Sequence, residues 1–366
     1  MLSNLPKVAI IYLSFHCEPY MDDVVSALKK LSYPKDRVAF VIVDNPHPQY
    51  GSSVRYIEET VMPLSGVELP QVVILPQKEN LGFAGGNNVG IQWAINNRYD
   101  YVYFHNNDGF VAADSLEPLI AAMENDKTIG IAQPMILLYP ETNLINTDGN
   151  SFHYLGLAFC GNLRKPKESV KHQPVEEIGY ASGAAQLMRV DLLKQYGAWD
   201  HDFFLYHEDL EYSLRVRALG YKIVLVPDSV FYHKYSFSRN KEKFYYIERN
   251  RFGVMLMYFK WLTLLLLLPI AGVLEAGLIL FAWKKGWLRE KLSAYEYWFD
   301  LKNIKLWLFK RQRIQAMRKV GDKALLSKAV STVVFEEKSI DNPLLRYIGN
   351  PLMAVYWWVA RRLIFW

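Results

Sequence analysis

The sequence predicts an α/β protein: an open, mostly parallel sheet, followed by a C-terminal helical region associated with a membrane. Two observations carry this. Short β-branched apolar runs alternate with helical patterns over about a hundred residues at the start. A strongly apolar stretch then runs from Gly253 to Trp283, and basic residues gather after it.

The elements follow in order. Lys7 to Leu13 (KVAIIYL) reads as a strand buried on both faces. Tyr20 to Leu31 carries Val24, Val25, Leu28 and Leu31 at helical spacing. Val38 to Val43 is a second strand, ending at Asp44-Asn45-Pro46, and Ile57 to Met62 a short helix. Val72 to Leu75 is a third strand. Gly82 to Gly86 open a helix that continues over Gly90 to Asn97, and Tyr101 to Phe104, a fourth strand, ends at Asn106-Asn107-Asp108. In such sheets ligands bind beyond the carboxyl ends of the strands, where Asp44, Asn45, Asn106, Asn107 and Asp108 stand. From Gly130 the pattern is mixed, and Asp148-Gly149-Asn150 and Gly161-Asn162 suggest hairpins or acceptor-side loops. A helix after Asp191, a helix over Glu208 to Ala218 and a strand over Lys222 to Val226, ended by Pro227-Asp228, complete this part. The division expected is a catalytic domain over 1–250 and a membrane-associated helical region over 251–366.

With 366 residues there is room for both. The net charge of +5 is mild and makes no case for nucleic acid. Cys17 and Cys160 form neither a metal-ligand spacing nor a disulfide framework, which fits a reducing compartment. The N-terminus lacks the parts of a signal peptide and reads as the first strand.

The Gly253 to Trp283 stretch has enough residues for a spanning helix, which needs about 20. Two features oppose a simple span. Glu275 near its middle would cost roughly 2.5–3.5 kcal/mol. Both flanks are basic, so the positive-inside rule wants both ends on the cytoplasmic side. A helical hairpin broken near Pro269 satisfies both points, as do two amphipathic helices in the interface; a buried pair of core helices is the alternative. The basic run from Lys302 to Lys319, and the end Tyr356 to Trp366, suit anionic lipid or a solvated face.

Four motifs carry chemistry. Asn80 to Asn88 (NLGFAGGNN) has glycines that let backbone approach a phosphate or sugar, ahead of a helix N-terminus; it matches neither a Walker loop nor a dinucleotide fingerprint, and a plain strand-to-helix turn explains it equally. Asn106 and Asp108 alternate at a strand end, where oxygen ligands suit Mg2+ or Mn2+, although strand-ending turns share this composition. Glu208-Asp209 begins a helix behind the aromatic run Phe203-Phe204-Leu205-Tyr206 and is placed to take a proton from a hydroxyl; acids at helix starts are also favoured by the dipole alone. Arg215 and Arg217 follow and suit either these acids or phosphate. His233, after a strand, suits a metal or a diphosphate, though a lone histidine is more often structural.

In this order the motifs resemble family 2 of the inverting glycosyltransferases, and closely its bacterial and archaeal rhamnosyltransferase-like branch. The residues that carry the resemblance are VIVDN (Val41 to Asn45), NLGFAGGNN, HNNDGF (His105 to Phe110), ASGAAQLMRVDLL (Ala181 to Leu193), Tyr196 to Ile223 and Arg249-Asn250-Arg251, covering roughly Lys7 to Arg251. The resemblance implies a GT-A fold with one doubly wound sheet. It implies that Asp44 contacts the nucleotide base, and that Asn45, Gly82, Phe83, Gly85, Gly86, Asn87 and Asn107 belong to the donor site. It implies that Asp108, Asn106 and His233 hold a divalent cation, that Asp209 is the catalytic base with Glu208 beside it, and that Phe204 and Tyr206 wall the acceptor. Asn106 stands where many members have Asp, which leaves the metal site one carboxylate short. The expected activity is inverting transfer of a sugar from a nucleotide-diphosphate sugar to a lipid-linked glycan acceptor. It would serve cell-surface polysaccharide or glycoconjugate synthesis, with membrane lipid as a further partner at the cytoplasmic face of the membrane, peripheral or monotopic. A nucleotidyltransferase and a non-catalytic membrane-peripheral scaffold are the alternatives.

Overall fold

The computed structural model describes residues 5–235, 241–333 and 343–366. In chain order the elements begin β1 (Val8–Ser14), α1 (Met21–Lys29), β2 (Val38–Asp44), α2 (Val54–Thr60), β3 (Gln71–Pro76), α3 (Gly82–Asn96), β4 (Tyr101–His105), β5 (Gly109–Val111) and α4 (Leu116–Asn125). There follow β6 (Ile129–Leu138), β7 (Ile145–Thr147), β8 (Ser151–Phe152), β9 (Ala158–Phe159), β10 (Glu176–Glu177), β11 (Ala185–Arg189), α5 (Val190–Tyr196), α6 (Glu208–Ala218) and β12 (Lys222–His233). Helices α7 (Glu242–Tyr258), α8 (Trp261–Lys285), α9 (Leu288–Phe299), α10 (Leu301–Met317), α11 (Asp322–Leu325) and α12 (Asn350–Leu363) close the chain. The chain packs as two units: Met1–Gly149 with Cys160–Phe204 and Lys222–Phe237, and Asn150–Phe159 with Leu205–Tyr221 and Ser238–Trp366.

The first unit is built on a sheet in the order β10-β12-β6-β11-β4-β1-β2-β3, with β5 on β12 and β7 on β6. The pairs β1–β2, β1–β4, β2–β3 and β6–β12 are parallel, whereas β11 runs antiparallel to both β4 and β6. Strand β1 shows why the sheet is covered on both sides. Side chains alternate along a strand. Val8, Ile10 and Tyr12 join one apolar cluster with Val24 and Leu28 of α1 and Leu116, Leu119 and Met123 of α4. The intervening Ile11 and Leu13 face α3, so close that a Cβ at Gly90 would lie 2.6 Å from Ile11 and one at Gly86 2.4 Å from Leu13. Gly86 of the glycine-rich motif and Gly90, one turn further on, thus serve helix-on-sheet contact.

Strand β12 does not stop at Pro227-Asp228. It continues to His233, with a shift in register between Val226 and Val230. Proline has no N–H for the ladder, and a bulge removes it from pairing without ending the strand. The continuation matters, because it carries His233 to the carboxyl end of the sheet.

In the second unit α7 packs against both α9 and α10. The Trp307 ring of α10 is fully buried against Gly253, where a Cβ would lie 2.3 Å from it. The expected break at Pro269 is absent: α8 is one helix with the proline inside it. The ring costs one hydrogen bond and a local kink, and packing along the rest of the helix holds it together. Thr263, Leu267, Ile270, Leu274, Leu278 and Ala282 form its buried stripe. Among the described residues α8 is the one helix long and apolar enough to cross a membrane, with mean hydropathy 2.5 over its most apolar window.

Candidate active site

In the first unit the antiparallel pairing of β5 with β12 sets His233 opposite Gly109. The Lys234 amide donates to the Asp108 carbonyl at 2.8 Å. Only glycine fits at Gly109, since a Cβ there would lie 2.3 Å from the Phe231 ring. This register puts the His233 Nε2 atom 2.9 Å from Asp108 Oδ1. The Asn106 side chain stands on the same side, its Nδ2 donating to Asp108 Oδ1 at 2.7 Å and lying 3.3 Å from His233 Nε2. Behind the imidazole, Nδ1 meets Asn146 Oδ1 of β7 at 2.8 Å. That contact fixes the ring's orientation with Nε2 toward the carboxylate, as outer partners commonly do for metal-ligating histidines.

Carboxylate and imidazole, with an amide oxygen available once Asn106 rotates about its terminal bond, are donors that Mg2+ and Mn2+ accept. Such ions are commonly held by one or two protein carboxylates, with substrate phosphates and water supplying the rest. The residues therefore fit a cation shared with a diphosphate. Among the described residues no cluster of three or more His, Cys, Asp or Glu side chains is arranged to hold a metal by itself. Asn107 plays a supporting part: its side chain donates to Phe15 O at 3.1 Å, and its carbonyl accepts from the Tyr12 hydroxyl at 3.1 Å.

The other donor-site candidates of this unit also meet. Asp44 is buried, and its carboxylate accepts from Ser14 Oγ (2.9 Å), Ser52 Oγ (2.6 Å) and the Ser53 amide (3.2 Å). It therefore braces the loop after β2. Asn45 Nδ2 donates to Gly82 O at 2.9 Å, and the Gly82 amide to Asn80 Oδ1 at 2.9 Å. Gly82 has φ +71°, and a Cβ there would lie 2.5 Å from Phe204. The Phe83 amide donates to Phe204 O at 2.7 Å. Asn87 turns back onto Phe83 O at 2.9 Å, Gly85 lies against Leu81, and the Phe83 ring packs on Trp199 at 5.4 Å. The motif is thus one tightly packed corner beside Phe204.

In the second unit Tyr206 and His207 have φ of 64° and 66°, and α6 starts directly after them. Left-handed backbone at non-glycine residues is strained, at about 1–3 kcal/mol each, and persists only where its surroundings enforce it. Asn250 supplies that enforcement, its Nδ2 donating to Leu205 O at 3.0 Å and Tyr206 O at 2.7 Å. His207 is buried with Nε2 3.0 Å from Gly156 O, and burial pulls its pKa down to about 4, so the ring is neutral. The turn delivers Glu208 and Asp209 in different settings. Glu208 is buried, and burial, reinforced by the nearby Asp209 charge, holds its pKa well above the usual carboxylate range. Asp209 is half-buried, and its Oδ1 accepts from the Leu210 amide at 2.7 Å. Arg215 binds both oxygens of Glu211, at 2.8 and 2.7 Å.

Asn146 and Asn250 were not singled out from the sequence. Asn146 has no local signal, since only the pairing of β7 with β6 brings it in. Asn250 lay inside the Arg249 to Arg251 match without a role.

A family profile described as Glycosyl transferase family 2 matches residues 9–197. The chain belongs to glycosyl transferase family 2. Its matched segment spans β1 through α5, including the corner at Gly82 and the Asn106 to Asp108 turn. The low-salt glycan biosynthesis hexosyltransferase Agl10 of Haloferax volcanii is 25% identical over 143 residues, 38% of this chain and 44% of that protein. The crystal structure of GalNAc-T7 with UDP, GalNAc and Mn2+ superposes with a TM-score of 0.54 at 14% identity, over 71% of this chain and 49% of that one. The chain therefore spans about half or less of the length of these relatives. The mannosyltransferase PcManGT from Pyrobaculum calidifontis, in complex with GDP-Man and Mn2+, is 15% identical over 86% of this chain and 87% of that one, with a TM-score of 0.47. The family match and this mixed, mostly parallel sheet agree with a GT-A-type fold.

Proposed function

We propose that this glycosyltransferase transfers a sugar, with inversion, from a nucleotide-diphosphate sugar to a hydroxyl of a lipid-linked glycan, at the cytoplasmic face of a membrane, in the synthesis of cell-surface polysaccharide or glycoconjugate. The observation that carries the reading is the Asp108–His233 pair at the carboxyl end of the sheet, a place to hold a charged diphosphate through a cation. The family match, the relative named for glycan biosynthesis and the nucleotide and Mn2+ in the GalNAc-T7 structure support it.

In the proposed reaction the Asp209 carboxylate accepts the proton of the acceptor hydroxyl. The freed oxygen bonds to the anomeric carbon as the bond from that carbon to the diphosphate breaks. The nucleoside diphosphate leaves with the bonding electrons. A divalent cation, when bound, would offset the charge that builds on the leaving group. Asp108, His233 and the rotated Asn106 amide would hold it. Asp44, tied to Ser14, Ser52 and Ser53, shapes the base end of the donor site through the loop it braces. Asn45, Gly82 to Asn87 and Asn107 form the wall beside it. Phe204 and Tyr206 line the acceptor side, and Glu208, kept protonated, orients its neighbour. A rhamnosyl donor is the specific proposal, following the motif resemblance. We assign catalysis to 1–250 and membrane association to 251–366.

The test is nucleoside diphosphate release from a panel of nucleotide sugars, with and without Mn2+ or Mg2+. Release that depends on both donor and acceptor, and that Asp209→Asn abolishes, supports the reading. Full release by Asp209→Asn would sink the base assignment. Silence of the wild type with every donor, in the presence of lipid-linked acceptor, would sink the reading itself.

A further inference from the structure

We infer that α8 does not cross the bilayer but lies flat in one leaflet with α12 beside it, the two helices forming a single docking face for an anionic lipid surface. The inference rests on the proposed membrane location and decides its geometry. All the groups involved belong to the second unit.

The buried stripe of α8 runs from Thr263 to Ala282, so the helix is packed against protein along nearly its whole length. At 1.5 Å per residue that length is roughly 37 Å. Both ends are tied down. The Lys260 amide donates to Asp322 at 2.8 Å, Trp366 Nε1 to Thr263 at 2.8 Å, and Lys241 Nζ to the Gly286 carbonyl at 2.8 Å. Glu275, the acid that opposes a simple span, faces protein. It pairs with Arg251 and, at 2.7 Å, with Lys291, and accepts from the Tyr295 hydroxyl at 2.5 Å. Arg251 and Lys291 also hold Glu248, at 2.8 and 2.5 Å, which makes a buried group of two acids and two bases. A spanning α8 would drag this polar group and the helices that carry it into hydrocarbon, where irregular and charged structure is excluded.

The opposite face of α8 is apolar and uncovered. Leu265 and Leu268 are 67% and 64% exposed, and Trp261, Leu262, Val273, Leu280 and Trp283 are exposed with them. Helix α12 continues the face. Its Tyr356 hydroxyl donates to the Leu266 carbonyl, and its Val355, Trp358 and Leu363 are exposed. An apolar cleft of about 280 Å³ lies between the two helices, lined by Leu266, Leu352, Val355, Val359 and Leu363. Charge decides the occupant. Glu275 is the sole acid in the two helices, and it is paired inside. Their charged margins are Lys284, Lys285, Arg361 and Arg362. A second copy docked on this face would meet like charge, whereas anionic headgroups meet opposite charge.

The test uses the full chain. Wild type should float with vesicles of phosphatidylglycerol and phosphatidylcholine. Leu265→Glu with Leu268→Glu and Val355→Glu should cut flotation at least tenfold at an unchanged melting temperature. In a Cys160→Ser background, Lys260→Cys and Lys284→Cys should both react with a membrane-impermeant thiol reagent in sealed vesicles whose cytoplasmic face is outward. Protection of one end alone overturns the inference in favour of a span. Flotation that survives the triple change overturns it, and so does a concentration-dependent dimer in place of flotation. Nucleoside diphosphate release is scored separately on the wild type. Its absence would remove the transferase reading while leaving the flotation result standing.

Discussion

The His233 Nε2 atom lies 2.9 Å from Asp108 Oδ1 across 125 residues of sequence. The Asn106 Nδ2 donates to the same Asp108 oxygen at 2.7 Å and lies 3.3 Å from His233 Nε2. Where a second carboxylate would attract a cation, this chain presents hydrogens that a cation must displace.

Replacing Asn106 by Asp should therefore tighten metal binding. The Mn2+ concentration for half-maximal activity should fall about tenfold, which corresponds to about 1.4 kcal/mol. Isothermal titration with Mn2+ checks it, and an unchanged constant would remove Asn106 from the metal site.

Glu208 and Asp209 should respond differently to loss of charge. Asp209→Asn should lower kcat by about 10²–10⁴, the range of general base catalysis. Glu208→Gln should leave kcat within a few-fold, because a glutamine resembles the protonated acid.

The same contrast gives a pH dependence. The pKa of Glu208 is raised in the folded chain, chiefly by burial. The stability it contributes is complete below the unfolded carboxylate value, near 4.3. It is lost as pH rises toward the folded value. Glu208→Gln does not titrate, so its melting temperature relative to wild type should climb between pH 4 and pH 8. Parallel melting curves at the two pH values would count against a protonated Glu208.

Asn250 donates to the carbonyls of Leu205 and Tyr206 and holds the left-handed turn ahead of α6. Asn250→Ala should cost about 1–3 kcal/mol of stability, the penalty for buried acceptors left unsatisfied. It should also lower kcat more than it raises the donor KM, since the turn aims Asp209. Asn250→Asp cannot donate and should not rescue it.

Arg251→Met leaves Glu248 and Glu275 facing each other with Lys291 alone. Breaking a buried ion pair on one side costs about 3–5 kcal/mol. Chemical denaturation should show that loss, and adding Glu275→Gln should recover part of it.

The strands β1 to β4 were legible because each is a continuous apolar run bounded by polar turns. β1, β2 and β4 are buried on both faces, which leaves no other composition available to them; β3, at the sheet edge, is only partly covered. The glycines at the start of α3 were legible as a corner, but their purpose was not. Whether Gly86 and Gly90 free backbone for a phosphate or for Ile11 and Leu13 depends on what lies across the gap, and sequence does not record that. Pro227 read as a strand end because proline breaks a ladder; a bulge, which the partner strand must accommodate, kept β12 going.

The sequence by itself determined the order of strands and helices from β1 to β4, the acidic start of α6, and the apolar character of α8. These are local properties of composition and period. Tertiary structure alone decided that His233 meets Asp108, that Asn146 and Asn250 orient what they touch, and that Glu275 turns inward to Arg251 and Lys291. Each of these depends on residues far apart in sequence, brought together by strand register or helix packing, and the energy of a charge or a hydrogen bond is set by the partner it finds there.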